Sequence, residues 1–334
     1  MRLPYFEYCE PRTLDELLEV LSERDGQNLL IAGGTDILPL VRFGLAQPGC
    51  LVSPRGLPGL KGVAISNGEL HIGSMSTLTE LLCAKEIRGS FAAFREALES
   101  VAAPPLQNAG TVGGNLCQNS RCLFYNQSKT WREEQPACFK AGGDVCLAVP
   151  GGKKCFSVYQ GDLAVALIAF GARITVERRG SSRTIALEEL FSGEAKHPIK
   201  LSSDEIITEV LLPVPPERTG SAYRKLRMRS AVDYPLVSVA AVVSLNNRGT
   251  IDTARLVLGA CGPAPSVAHE AAAMLVGKAP KDVDLGAAGQ AVARGAQMVN
   301  NLELPASYRR TMIPVFARRA IEAAIRSALG KERS

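Results

Sequence analysis

Leu30-Ile31-Ala32-Gly33-Gly34-Thr35-Asp36-Ile37 and Asn108-Ala109-Gly110-Thr111-Val112-Gly113-Gly114-Asn115 are the two stretches on which the reading of this chain turns. Glycines let a backbone approach a ligand closely and take up positive φ, and successive amides in such turns form a concave donor array suited to a pyrophosphate. Thr35, Thr111 and Asn115 can add side-chain hydrogen bonds. Neither stretch has the glycine spacing of a strand-turn-helix dinucleotide fingerprint, and neither is a Walker loop. Either one alone could be an ordinary turn. Two in one chain, each closing a predicted element with a hydroxyl and an amide or acid beside the glycines, point to a binding site.

Outward from these stretches, helix and strand alternate. Thr13 to Arg24 reads as a helix, with Leu14, Leu17, Leu18 and Leu21 on one stripe and Thr13 and Glu16 at capping-box spacing. A strand at Leu29 to Ala32 runs into Gly33, a second is expected at Leu70 to Gly73, and a helix opens at Ser76 or Thr77, where Thr77 and Glu80 repeat the capping box. Beyond residue 160 come an apolar run from Leu163 to Phe170 and strands near Arg173 to Glu177 and Ile206 to Leu212. Pro213 to Pro216 marks a domain boundary. Tyr223 to Arg229, Val237 to Leu245 and Ile251 to Ala260 suggest a small sheet, followed by helices at His269 to Val276, Asp284 to Asn300 and Tyr308 to Leu329, the last kinked or started by Pro314. The alternation implies an α+β or α/β layering.

The 334 residues, 46% of them hydrophobic, suffice for two or three compact domains. A net charge of +5, with basic and acidic residues interleaved, makes nucleic acid a poor partner. The longest apolar stretch, near Leu236 to Leu245, is far short of the roughly 20 residues a membrane helix needs. No secretory signal is visible from Met1 to Glu10, so a cytoplasmic protein is expected. In a reducing compartment its nine cysteines read as free thiols or metal ligands before disulfides. Five of them fall between Cys117 and Cys155, inside the aperiodic stretch 117–160. An irregular connection of that length calls for a function or a crosslink.

At this point the residues carry a resemblance. The two glycine segments, with Gly161-Asp162-Leu163-Ala164, Tyr223-Arg224-Lys225 and Asp233-Tyr234-Pro235-Leu236, resemble in order and spacing the FAD subunits of the xanthine oxidase family of molybdenum hydroxylases, along nearly the whole chain. The resemblance implies an α+β fold of the vanillyl-alcohol oxidase and CO dehydrogenase flavoprotein type. Residues 1–55 and 56–215 would form the two FAD-binding subdomains, and residues 216–334 a C-terminal domain of a small sheet and helices. It implies FAD contacts from Leu30 to Ile37, Val101, Ala109 to Asn115, Asp162, Ile207 and Lys225. Without it, Asp162 and Lys225 would pass for a loop carboxylate and a solvated lysine.

Cys122, Cys138, Cys146 and Cys155 have fifteen, seven and eight residues between them, which matches neither a zinc ribbon nor a ferredoxin. Four thiols suit a 4Fe-4S cluster or a structural zinc, and buried free thiols remain open on spacing alone. The insertion, however, is similar to that of the 4-hydroxybenzoyl-CoA reductase β subunit in Gly113 to Gln118, Arg121-Cys122, Phe124 to Ser128 and Trp131-Arg132. That similarity implies a 4Fe-4S cluster on those four cysteines, an external carrier such as ferredoxin, a 2Fe-2S small subunit and a molybdopterin-binding large subunit. Reductive removal of a phenolic hydroxyl would then be the reaction. The alternative is an oxidative hydroxylase of the same family, passing electrons to NAD or a quinone. A self-contained flavoenzyme, as in cell-wall precursor synthesis, and a structural zinc protein are further readings. Cys117 is read as a packing residue, and Cys9, Cys50, Cys83 and Cys261 as core. His71, His197 and His269 receive no role.

Overall fold

The computed structural model describes residues 3–23 and 26–330; Arg24, where the first helix was expected to end, and residues 1–2, 25 and 331–334 lie outside it. A small parallel sheet opens the chain, with β1 (Glu7–Cys9), β2 (Asn28–Leu30) and β3 (Cys50–Val52) in the order β1-β3-β2. Parallel pairing requires a crossover, and α1 (Leu14–Ser22) supplies one, burying Leu17, Leu18 and Leu21 against Val52. Thr13 caps it by accepting the Glu16 amide at 3.2 Å, while the Glu16 carboxylate takes the amide of Arg12 at 2.8 Å, one residue upstream of the reciprocal bond a capping box makes. The first glycine segment joins β2 to α2 (Ile37–Arg42).

The second sheet is antiparallel and has five strands, β4 (Val63–Ser66), β5 (Glu69–Gly73), β6 (Arg173–Arg178), β7 (Ser181–Ala186) and β8 (Ile206–Pro213), in the order β4-β5-β8-β6-β7. Between β5 and β6 lie α3 (Leu78–Cys83), α4 (Ala92–Ser100), α5 (Pro104–Ala109), α6 (Val112–Leu116), the short α7 (Lys129–Glu133) and α8 (Asp162–Ala169). Every residue of α8 is buried. A helix apolar all round must be covered all round, and α8 is packed against α4 on one side and against the third sheet on another.

That third sheet, antiparallel in the order β12-β11-β10-β9, comprises β9 (Thr219–Leu226), β10 (Val237–Leu245), β11 (Ile251–Gly259) and β12 (Ser266–Val267). Its side chains alternate with the strand period of two. Tyr223, Ala240 and Val257 join the core around α8, whereas Ala222, Val239, Ala241, Leu256 and Leu258 join a second core under α9 (His269–Ala273), α10 (Leu285–Ala293) and α11 (Ala306–Ala328).

Several element bounds differ from those expected. The third sheet opens with Thr219–Leu226 rather than Tyr223 to Arg229. The second glycine segment closes as a one-turn helix capped by Thr111 instead of a loop. The helix expected up to Val276 ends at Ala273, and the one expected up to Asn300 ends at Ala293. After Ala293 the chain has other partners: the Gln297 amide donates to Cys261 O at 2.7 Å, and Asn301 O accepts the Leu123 amide at 2.9 Å. Pro314 sits inside α11, which continues past it.

Candidate functional site

The two glycine segments meet, and they do so through glycine. A Cβ on Gly33 would fall on the carbonyl oxygen of Ala109, so this crossing of the two backbones excludes every other residue. The segments then divide their roles. Ile31 donates its amide to Val52 O at 3.0 Å and Leu38 donates to Gly34 O at 3.2 Å; among the described residues, the five amides from Ala32 to Asp36 between them have no acceptor in the protein. In the second segment three successive amides are spent. Val112 donates to Ser76 O at 3.1 Å, Gly113 to Ser74 O at 2.9 Å and Gly114 to Thr111 Oγ1 at 3.1 Å. The first segment is thus the donor array, and the second is the surface that holds it in place.

Both segments line one cavity of about 720 Å³, within the range of small-molecule and cofactor sites. Of the residues singled out from the sequence, Leu30, Ala32, Gly33, Gly34, Thr35, Asp36, Ile37, Val101, Gly110, Thr111, Gly113, Gly114, Asn115, Asp162 and Ile207 lie on its wall. Ile31, Ala109, Val112 and Lys225 do not. Ile31 is tied to β3, Ala109 lines a separate recess beside Arg55 and Lys61, Val112 is core, and Lys225 stands behind Asp162. Cys117 is on the wall rather than in the packing, and Cys83 is exposed rather than core. Cys9 is half-buried with its sulfur 3.6 Å from that of buried Cys50.

At the start of α8, the Asp162 carboxylate accepts the Tyr223 hydroxyl at 2.6 Å and pairs with Lys225 Nζ at 3.0 Å, and Lys225 also donates to Ser100 O at 2.9 Å. Burial pulls Asp162 up and Lys225 down in pKa, and the opposite charge of each resists the shift in the other. Asp36 is likewise engaged within the protein: it accepts the Asn119 amide at 3.2 Å and pairs with Arg121 at 2.6 Å, and the Arg121 guanidinium lies 3.9 Å from the centre of the Tyr234 ring.

The ends of the cavity were not foreseen. His197, Pro198, Ile199, Leu201 and Glu205 contribute part of the wall, and Val232, Asp233 and Tyr234 another. Val232 (φ +63°) donates its amide to the carbonyl of Ala102 (φ +46°) at 3.3 Å. Two non-glycine residues in the left-handed region are unusual, and their meeting fixes a strap from the third sheet beside Val101. Only Asp233-Tyr234 had been singled out, as part of the resemblance.

Cys122, Cys138, Cys146 and Cys155 line a second, tight space of about 20 Å³, walled also by Phe139, Val145, Leu147 and Phe156. Among the described residues no three metal-ligating side chains close round a single point as ligands of one ion would. The four thiols nonetheless line one space, and a soft, fourfold donor set is the chemistry a polynuclear iron-sulfur group requires. Burial pushes the Cys122 thiol up to about 11 and the Lys140 ammonium, in the same wall, down to about 8. The acceptors of Lys140 Nζ are Asn119 Oδ1 at 2.8 Å, Ala195 O at 3.2 Å, Ser157 Oγ at 3.4 Å and Ser120 Oγ, and none is a carboxylate. Gly143 permits the tight turn behind Cys138, because a Cβ there would fall on Ala137 O. The insertion is tied to the body by Asn301, whose Nδ2 donates to Phe156 O at 2.5 Å and whose carbonyl accepts the Leu123 amide.

Comparison with known proteins bears on the fold and on FAD binding. A family profile described as the FAD binding domain in molybdopterin dehydrogenase matches residues 4–215, and one described as the CO dehydrogenase flavoprotein C-terminal domain matches residues 221–324. The aldehyde oxidoreductase FAD-binding subunit PaoB of Escherichia coli is 30% identical over 66% of this chain and 72% of its own length. The caffeine dehydrogenase subunit beta of a Pseudomonas species is 27% identical over 85% of this chain and 84% of its own. The solved carbon monoxide dehydrogenase from Hydrogenophaga pseudoflava superposes with a TM-score of 0.80 at 25% identity, covering 97% of this chain and 98% of the matched one. The fold is therefore that of the CO dehydrogenase flavoprotein, with mixed helix and sheet as expected.

Proposed function

The chain belongs to the FAD-binding medium subunits of the xanthine oxidase and CO dehydrogenase family, and from that premise we propose that it holds FAD in the 720 Å³ cavity as the electron-transfer subunit of an oxidative molybdenum-dependent dehydrogenase. A single observation carries the reading: the five unused amides from Ala32 to Asp36 belong to residues that line a cavity of cofactor size. They form a concave array of the kind that takes a pyrophosphate. When bound, the flavin exchanges electrons singly or in pairs, and the protein supplies binding and tuning. Thr35 and Asp36 shape the rim, Val101 and Ile207 give apolar wall, and the Lys225–Asp162 pair sets charge behind it. Relatives named as dehydrogenases of caffeine and carbon monoxide support electrons leaving the substrate rather than entering it. Substrate chemistry belongs to a molybdopterin-binding large subunit, reached through a 2Fe-2S small subunit.

The test is flavin content. Gly33→Val puts a side chain onto Ala109 O and is expected to abolish FAD retention, whereas Leu3→Ala, at an exposed residue that does not line the cavity, should leave one FAD per chain. Full retention in Gly33→Val would sink the assignment of this loop.

The convergence of four thiols on one space favours a second reading, in which the insertion carries a 4Fe-4S cluster and electrons come from an external donor such as ferredoxin, as in a 4-hydroxybenzoyl-CoA reductase-like reductive enzyme. Iron, sulfide and flavin measured on anaerobic protein decide it: about four irons per chain, lost with retained FAD in Cys138→Ser, are expected. Iron-free wild type would leave the plain dehydrogenase subunit.

A further inference from the structure

The wall between the thiol space and the dinucleotide cavity is a short run of hydrogen bonds. Lys140 stands in the first and Asn119 in the second, joined by the 2.8 Å bond from Nζ to Oδ1. On the cysteine side, the Ser157 amide donates to Cys155 Sγ at 3.4 Å, and the Ser157 hydroxyl is 3.4 Å from Lys140 Nζ. On the other side, the Asn119 amide is bonded to Asp36 of the donor array.

Even a part-buried ammonium is costly unless a negative group compensates it. Among the described residues, Lys140 has only neutral oxygens at hydrogen-bonding distance. The nearby carboxylate of Asp36 is already held by Arg121 at 2.6 Å. Beyond the face of the Tyr125 ring, whose centre is 5.4 Å from Nζ, what remains to balance the charge is whatever the four cysteines carry. A cluster ligated by four thiolates is anionic, and it becomes more so with each electron it takes.

We propose that Lys140 is a positioning charge between the two redox sites. It stabilises the electron held among the four cysteines, and through Asn119 it fixes that charge against the wall of the flavin cavity. This rests on the cluster reading. The potential of an iron-sulfur group is set by net charge, by hydrogen bonds to its sulfurs and by exposure; Lys140 supplies the first, and the Ser157 amide the second.

The experiment is an EPR-monitored redox titration of the anaerobically assembled complex in wild type, Lys140→Met and Lys140→Arg, each with its iron, sulfide and FAD content measured. With content unchanged, Lys140→Met is expected to lower the cluster midpoint so that the reduced fraction at fixed potential falls about tenfold, ~59 mV for one electron, and Lys140→Arg is expected to restore most of it. Should Lys140→Met fail to assemble, Lys140→Gln serves, read against Lys140→Arg. A midpoint in the neutral variants equal to wild type, with iron intact, overturns the inference and leaves the cluster standing. Wild type that contains FAD but no iron overturns the cluster reading itself and removes the inference with it.

Discussion

Glu205 illustrates how a carboxylate at the cavity edge depends on what the fold brings to it. In sequence it is one acid in a polar stretch, Ser202-Ser203-Asp204-Glu205. Folded, it is buried just before β8, with one oxygen taking the Arg183 guanidinium and the other the Ser202 amide at 2.9 Å. The hydrogen bond from Arg183 is the main cause holding its carboxyl below the ordinary range. A depressed folded pKa adds stability that is present above the unfolded value of about 4.3 and lost as pH falls through the folded value. Glu205→Gln should therefore be less stable than wild type at neutral pH, with the gap closing in acid. Urea midpoints at pH 7 and about pH 3 check this; a gap that stays constant with pH would mean packing, not ionisation, is at stake.

Among elements, α3 was the most legible, because its start is written in two residues. The Thr77 hydroxyl accepts the Glu80 amide at 3.2 Å, and the Glu80 carboxylate accepts the Thr77 amide at 2.7 Å. The same turn orients the second glycine segment, since the Leu78 amide donates to Gly110 O at 3.0 Å. Thr77→Ala should cost about 1 kcal/mol and Thr77→Ser much less, read by thermal unfolding. Strand β7 left no trace because it is an edge strand: residues 181–184 are exposed, so no alternation records a buried face. Periodicity also overran at α10: after Ala293 the chain bonds Cys261 through Gln297 and reaches the insertion at Asn301 instead of extending the helix. The glycine loops could be read from composition, but which of the two donates depends on what their amides already bond, and that is a tertiary fact. For the cysteines, sequence gave number and neighbourhood. Their convergence depends on Asn301 and the Ala195 carbonyl, which are remote in the chain.

At the scale of the whole molecule, α8 and the third sheet are joined at the cavity by charge as well as by packing. Asp162 belongs to the helix and Tyr223 and Lys225 to β9, so the 3.0 Å ion pair crosses from one folding unit to the next. Its side chains are only 6% and 4% exposed, which leaves little water to compensate either charge if the other is removed. Breaking a buried pair by deleting one partner typically costs about 3–5 kcal/mol, whereas replacing both can be nearly neutral. Lys225→Met alone should therefore destabilise the assembled protein strongly and loosen FAD, because the carboxylate at the cavity wall keeps only the Tyr223 hydroxyl. Adding Asp162→Asn should recover more than about 1 kcal/mol of that loss, a coupling that independent sites would not show. Thermal melts and FAD titration of the two single variants and the double variant supply the cycle. Additive losses would mean that the sheet and α8 are held by their apolar faces alone, with the pair contributing only to the shape of the flavin wall.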